Sequence, residues 1–209
     1  MFFILFKFPF IESTVKRLVF LLLFNAHDIG GPAIGDKQID PISDFTQTLP
    51  EENGKPSELT ELWIGFDDQN VYVSAKIWDS SGPDGWIANE MRRDEGELRN
   101  NDHFGIWFDT FYDRRNGVGV YVNPLGGIAD YQITNETNVN KNWNPIHDTR
   151  TALFDGGWSL EMAIPFRSLR YRPGKDQTWG VQTRRSIMRN NEWIFLSPVP
   201  RSVARGGAA

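Results

Sequence analysis

Residues 59–78 read LTELWIGFDDQNVYVSAKIW. Leu62, Ile64 and Phe66 alternate with Glu61, Trp63 and Gly65; beyond Asp67-Asp68-Gln69-Asn70, residues Val71, Val73, Ala75 and Ile77 alternate with Tyr72, Ser74, Lys76 and Trp78. A period of two on both sides of an Asp/Asn-rich turn predicts an antiparallel hairpin of half-buried strands. The pattern recurs at 102–109, where Phe104, Ile106 and Phe108 alternate with His103, Gly105, Trp107 and Asp109. Its expected partner is 117–123, reached through a turn that ends on Asn116-Gly117. Segments 128–134, 149–154, 158–164, 179–185 and 193–196 supply further strands, and Pro165 to Tyr171 a short helical turn. Short strands punctuated by Gly, Pro, Asn and Asp, with no long amphipathic helix, predict an all-β fold: an antiparallel β-sandwich of the immunoglobulin or jelly-roll kind. Trp158, Trp179 and Trp193 are assigned to its core.

The 209 residues suit one domain. With 22 Lys and Arg against 27 Asp and Glu, the net charge of -5 offers no basic face for phosphate, so no nucleic-acid partner is expected. The absence of cysteine removes thiolate zinc sites, iron–sulfur clusters, thiol nucleophiles and disulfides together. Lys16-Arg17 followed by the apolar run 18–24 has the order of a secretory signal, although that run is short. Residues 1–35 are therefore set aside as a signal-like segment, 36–200 form the expected domain, and 201–209 read as a linker or truncated end.

The aromatic content, 8 Trp and 15 Phe, is where a function is sought. A pyranose presents CH groups that stack on aromatic faces, while Asp, Asn and Arg bond its hydroxyls. The outward side of 102–109 offers Trp107 and Asp109 beside His103, and the neighbouring strand offers Tyr121 and Asn123. Trp78, Trp86 and Trp143 lie off the inferred core face or in loops, and Trp143 stands between Asn142 and Asn144. Arg93, in Arg92-Arg93-Asp94, is a candidate donor to sugar hydroxyls or carboxylates; a salt bridge is the plainer use of such a pair. Asp67, Asp68, Asp79, Asp84, Asp102, Asp109 and Asp113 are oxygen ligands of the type calcium takes, without EF-hand spacing. No nucleophile elbow, zinc-protease helix, phosphate-binding loop or dinucleotide fingerprint is present, and no catalytic residue is assigned.

Several ordered blocks carry a family resemblance: 44–54 (DFTQTLPEENG), Phe66-Asp67-Asp68 with Val71-Tyr72-Val73, Met91-Arg92-Arg93-Asp94, 102–116 (DHFGIWFDTFYDRRN), 122–126 (VNPLG) and 157–170 (GWSLEMAIPFRSLR). Together they resemble the family 9-like carbohydrate-binding domain. More narrowly, they resemble the copy at the front of large bacterial proteins whose remaining chain is an outer-membrane-associated β-domain. The resemblance implies a β-sandwich, export, non-catalytic carbohydrate binding and, often, structural calcium. It leaves two alternatives, a docking domain packed on the downstream β-domain and an accessory domain of a glycoside hydrolase. The family's opening Ile-Asp-Gly block is cut short here, since Ile39-Asp40 runs straight into Pro41, and the first edge strand is in question.

Overall fold

A computed structural model describes residues 4–9, 40–174 and 176–205, with the backbone alone for 4–9 and Arg205. Most of the signal-like segment, His27 within it, and the last four residues lie outside the described residues. The strands are β1 Ile4–Pro9, β2 Thr46–Leu49, β3 Thr60–Phe66, β4 Asn70–Trp78, β5 His103–Asp109, β6 Gly117–Val122, β7 Ile128–Thr134, β8 Asn138–Asn140, β9 Asp148–Phe154, β10 Gly157–Pro165, β11 Asp176–Ile187 and β12 Glu192–Phe195. One sheet runs β2-β12-β11-β5-β6-β7-β8, with β1 beside β11, and the other runs β3-β4-β10-β9. Every strand pairing is antiparallel, so the molecule is the expected β-sandwich.

The predicted hairpin is β3 and β4, in register from Thr60↔Ile77 to Phe66↔Val71. Its turn is held by Asp67, whose Oδ1 accepts the backbone N–H of Gln69 and of Asn70, both at 2.7 Å, an Asx-type closure. The Tyr72 hydroxyl donates to the other carboxylate oxygen at 2.8 Å; burial and that carboxylate push the phenol up to about 12. The second predicted pair is β5 and β6, and its core-side residues Phe104, Ile106, Phe108, Val120 and Val122 meet Val73, Ala75 and Ile77 of β4 and Leu160 and Met162 of β10 in one apolar core.

Period two sorts the tryptophans only in part. Trp158 and Trp179 are fully buried in that core, as expected. Trp193 is not: Ile194 takes the inward position on β12, so Trp193 falls on the outer face, half-buried against Phe195 and Val199. Among the described residues the shortened first block contributes one bridge, Ile42↔Leu62, beside β3. Of the expected linker, Arg201–Arg205 forms a short helix, α1, with Ala204 buried in the same small cluster as Phe195 and Val199. No helix among the described residues is long and apolar enough to cross a membrane.

One end of the sandwich is closed by charge. Arg185 on β11 points inward, and its guanidinium donates to Leu59 O at 2.9 Å, Thr60 Oγ1 at 3.0 Å and Trp78 O at 2.5 Å. Asp79, buried immediately after β4, faces Arg185 at 3.3 Å and takes two bonds from Arg189 Nη1, at 2.7 and 2.8 Å. This cluster ties the two sheets together where the apolar core stops.

Candidate functional site

The outer face of the long sheet is not a bare surface. Gly105 and Gly119 stand on it beside large rings: a Cβ on Gly105 would lie 2.4 Å from Tyr121, and one on Gly119 would lie 2.6 Å from Trp107. The two glycines let the rings of Trp107 and Tyr121 lie down on the sheet, edge to face with centroids 5.1 Å apart. Ala129 and Ile133 of β7 extend the layer, and Tyr131, between them in sequence, packs against it. A 3₁₀ turn at Gly96–Asn100 then lowers Leu98 onto these side chains, closing a second, smaller apolar cluster.

The expected polar-aromatic face thus forms, but most of it is covered. Trp107 is 1% exposed and Tyr121 likewise, so neither presents a ring to solvent as a stacking platform. Asp109 is fully buried because its carboxylate accepts the backbone N–H groups of Asp113 (3.2 Å) and Arg114 (2.7 Å) and so shapes the turn after β5; burial pushes its pKa up. Asn123 is also fully buried. Its side chain accepts from Leu125 and Gly127 N–H and donates to Glu90 O at 2.7 Å, stitching the 87–101 loop to the turn between β6 and β7. Both residues therefore act as loop organisers.

Beside the covered layer the face opens into a recess of about 480 Å³, counting the space open to solvent. Asp94, Glu95, Arg99, Tyr121, Tyr131 and Lys141 are among its lining. The Tyr121 hydroxyl is buried there, beside the Tyr131 phenol. Tyr131 lies 5.3 Å from it, centroid to centroid at a tilt of 34°, and burial, reinforced by Tyr121, pushes the Tyr131 phenol well above its ordinary value. The Arg99 guanidinium stands 5.6 Å from the Tyr121 ring centroid. An aromatic floor beneath a polar rim is the combination with which small polar ligands are held, apolar lining for contact and a few polar groups for orientation.

Arg93 adjoins the recess from behind. It bonds Asp130, a buried residue of β7, and donates to Asn144 Oδ1 at 3.1 Å; this is the salt-bridge use foreseen for the pair. His147 is buried 3.6 Å from the same carboxylate. The remaining tryptophans lie elsewhere. Trp78 is on the outer face of the short sheet, edge-on to Phe154 at 5.1 Å, with its indole N–H bonded to Glu61 and Lys76 above its ring. Trp86 and Trp143 are half-buried against the main core. Of the residues singled out in sequence, the recess takes Tyr121 directly, Trp107 as part of its support and Arg93 through Asp130. Tyr131, Arg99, Lys141, Asp94 and Glu95 were not singled out. The available signal was β7 itself, where Ala129, Tyr131 and Ile133 give the outer face as apolar a pattern as a strand covered on both sides.

Four of the acids considered for calcium are engaged by their own surroundings. Asp67 and Asp113 organise their own turns, Asp79 serves Arg185 and Arg189, and Asp102 accepts the backbone N–H groups of Ile87 and Met188. Among the described residues no group of three or more His, Asp or Glu is placed to hold a metal ion.

His103 makes the outer layer sensitive to pH. Its Nδ1 lies 2.7 Å from Asn101 O, and Arg184 donates to its Nε2 at 3.0 and 3.3 Å, an arrangement that fits only the neutral ring. Burial, then Arg184, hold its pKa well below the ordinary histidine value. Above about pH 6.5 the folded and unfolded chains carry the same neutral imidazole; below it the unfolded chain takes up a proton that the folded chain refuses, so stability falls. Urea titrations should show a loss of about 1.4 kcal/mol from this group between pH 7.5 and 5.5. The His103→Gln variant should lack that part of the slope, and an unchanged slope would contradict the assignment.

No protein-family model matches the chain, and no curated protein does. Among solved structures, a candidate carbohydrate-binding protein from Bacteroides uniformis is similar with a TM-score of 0.56 at 12% identity, over 75% of this chain and 78% of that one. A family 9 carbohydrate-binding module from Caldicellulosiruptor kristjanssonii, solved with glucose, aligns with a TM-score of 0.49 at 15% identity, over 79% of this chain and 82% of that one. At such identities the first likeness is one of fold.

Proposed function

We propose that the protein is a non-catalytic carbohydrate-binding module whose ligand site is the recess between the Gly96–Asn100 turn and β7. One observation carries this most: a floor of Tyr121 and Tyr131 beneath a rim of Arg99, Lys141, Asp94 and Glu95. A pyranose suits that arrangement, with CH groups for the half-buried Tyr131 ring and hydroxyls that both donate to and accept from the rim. The sequence resemblance and the Bacteroides uniformis structure, described as carbohydrate-binding, point the same way. We also infer export, from the signal-like order of residues 16–24, and a place at the front of a larger exported protein, from the resemblance alone.

Affinity electrophoresis against neutral and acidic polysaccharides tests the site. Lys141 and Arg99 are exposed, so Lys141→Ala and Arg99→Ala should leave the melting curve within about 0.5 kcal/mol of the wild type. Each should weaken retention about tenfold, roughly 1.4 kcal/mol of binding. Trp143→Ala, outside the recess lining, should retain full affinity. Loss of retention on Trp143→Ala with none on the rim variants would move the site, and the absence of retention on every polysaccharide would reject the function.

A further inference from the structure

The charges around the recess are not equivalent. Asp94 Oδ1 accepts the backbone N–H of Asp130 at 3.0 Å, and its Oδ2 lies 3.6 Å from Arg93 Nε. Glu95 Oε1 accepts the N–H of Gly96 at 3.1 Å, and its Oε2 lies 3.9 Å from Arg92 Nη1. Glu97, the next acid of this stretch, accepts from Asn100 Nδ2 at 2.7 Å. The two rim acids are thus tied to the backbone and to Arg92 and Arg93, neither of which lines the recess. Lys141 is placed differently. Its ammonium reaches the start of the Gly96–Asn100 turn, where a Cβ on Gly96 would lie 3.2 Å from Nζ. Among the described residues no carboxylate stands within ion-pair distance of it. On an open surface that is the usual state of a lysine; in the wall of a recess it sets a positive charge against the ligand space.

The floor adds to that sign. Arg99 lines the recess 5.6 Å from the Tyr121 centroid, and Arg184, 1% exposed, stands 4.9 Å from the same centroid. Ligand classes meet this arrangement differently. A neutral sugar stacks on Tyr131 and gives hydroxyl hydrogens to the remaining lone pairs of Asp94 and Glu95, since an ionised carboxylate has about four. It meets Lys141 and Arg99 with hydroxyl oxygens only. A simple anion such as phosphate or acetate meets the two cations but is repelled by the two acids. A uronic acid residue uses every part: a CH face for the ring, hydroxyls for the acids, and a carboxylate for the cations. Bonds of that last kind are roughly twice as strong as those between neutral groups.

We propose that the recess selects acidic sugars, its ligand being a uronic acid residue whose carboxylate is held by Lys141 together with Arg99. This rests on the carbohydrate-binding reading of the recess and names the class of sugar within it. Asp94 and Glu95 supply the complementary selection, against anions that bring no hydroxyls.

Calorimetric titration of the full chain compares trigalacturonate and trimannuronate with their carboxyl-reduced counterparts, which keep ring, linkage and ring hydroxyls and carry CH2OH in place of the carboxylate. At least one uronate is expected to bind about tenfold or more tightly than its reduced counterpart at low salt. The ratio should shrink in about 0.5 M sodium chloride, where the attraction is screened. Lys141→Gln is expected to bring the ratio to about twofold or less, and Lys141→Arg, which keeps the charge, to hold it within about threefold of the wild type. A reduced trimer that binds as tightly as its uronate, or a ratio that Lys141→Gln does not move, overturns the proposal and leaves the carbohydrate-binding reading standing. Displacement of the uronate by an equal concentration of phosphate or acetate also overturns it, since the recess would then be a general anion site. Binding by none of the four trimers overturns the proposal and that reading together.

Discussion

Trp107→Ala is expected to destabilise the fold by about 3–5 kcal/mol, the range for truncating a fully buried large aromatic side chain. For a domain of this size that lowers the melting temperature by roughly 6–20 °C, at about 2–4 °C per kcal/mol. The ring fills the niche over Gly119, meets Tyr121 edge-on and lies 6.4 Å from Tyr131; its removal leaves a void that the backbone of two paired strands cannot close. Trp107→Phe should cost far less, within about 1.5 kcal/mol, because it keeps an aromatic ring and removes an indole N–H that is buried without a partner. Thermal melts followed in the near ultraviolet separate the two. An alanine variant that melts like the wild type and loses only ligand would return Trp107 to the role of a contact residue.

Asp79→Ala is the second large effect, expected at about 3–5 kcal/mol, because it breaks a buried ion pair from one side. Burial opposes ionisation of Asp79, but the bonds from Ser81 and Arg189 outweigh it and hold its pKa below the usual carboxylate range. Burial pulls the Arg185 guanidinium down to about 10 in spite of Asp79 beside it. Without that carboxylate Arg185 keeps its three oxygen acceptors but loses its nearest counter-charge. Urea unfolding measures the cost, and the double variant Asp79→Ala with Arg185→Met should recover part of it, since no unpaired buried charge remains, and only part because Leu59 O, Thr60 Oγ1 and Trp78 O lose their donor. A double variant less stable than the sum of its parts would contradict this description of the cluster.

The sandwich is legible in the sequence wherever one face of a strand meets the core. The hairpin at 59–78 and the 102–123 pair are marked by strict alternation, and the strands form with the registers that alternation requires. β2 and β8 escape notice for opposite reasons: Thr46–Leu49 is a four-residue strand with little apolar contrast, and Asn138–Asn140 is exposed throughout. Period two assigns a residue to a face and stops there. It places Trp107 and Tyr121 outward, correctly, but whether an outward face meets water depends on what the rest of the chain lays over it. Here that is the 87–101 loop, which has no periodicity and is fixed by Asn101 and Asn123, two side chains whose role shows only once β6 and the loop are side by side. The recess is a by-product of that covering. Its rim residues come from the loop and from the segment after β8, far apart in the chain, and local sequence carries no trace of their meeting.

Sugar binding in this recess is tested most directly by titrating the full chain with neutral and acidic trisaccharides and following the backbone and indole N–H signals by two-dimensional NMR. The predicted result is saturable shifts, with at least one of the sugars, at Glu95, Gly96, Arg99, Tyr131 and Lys141, and no comparable movement of the Trp78, Trp86 or Trp143 indoles. Saturable shifts confined to those indoles, or no shift with any sugar, would contradict it.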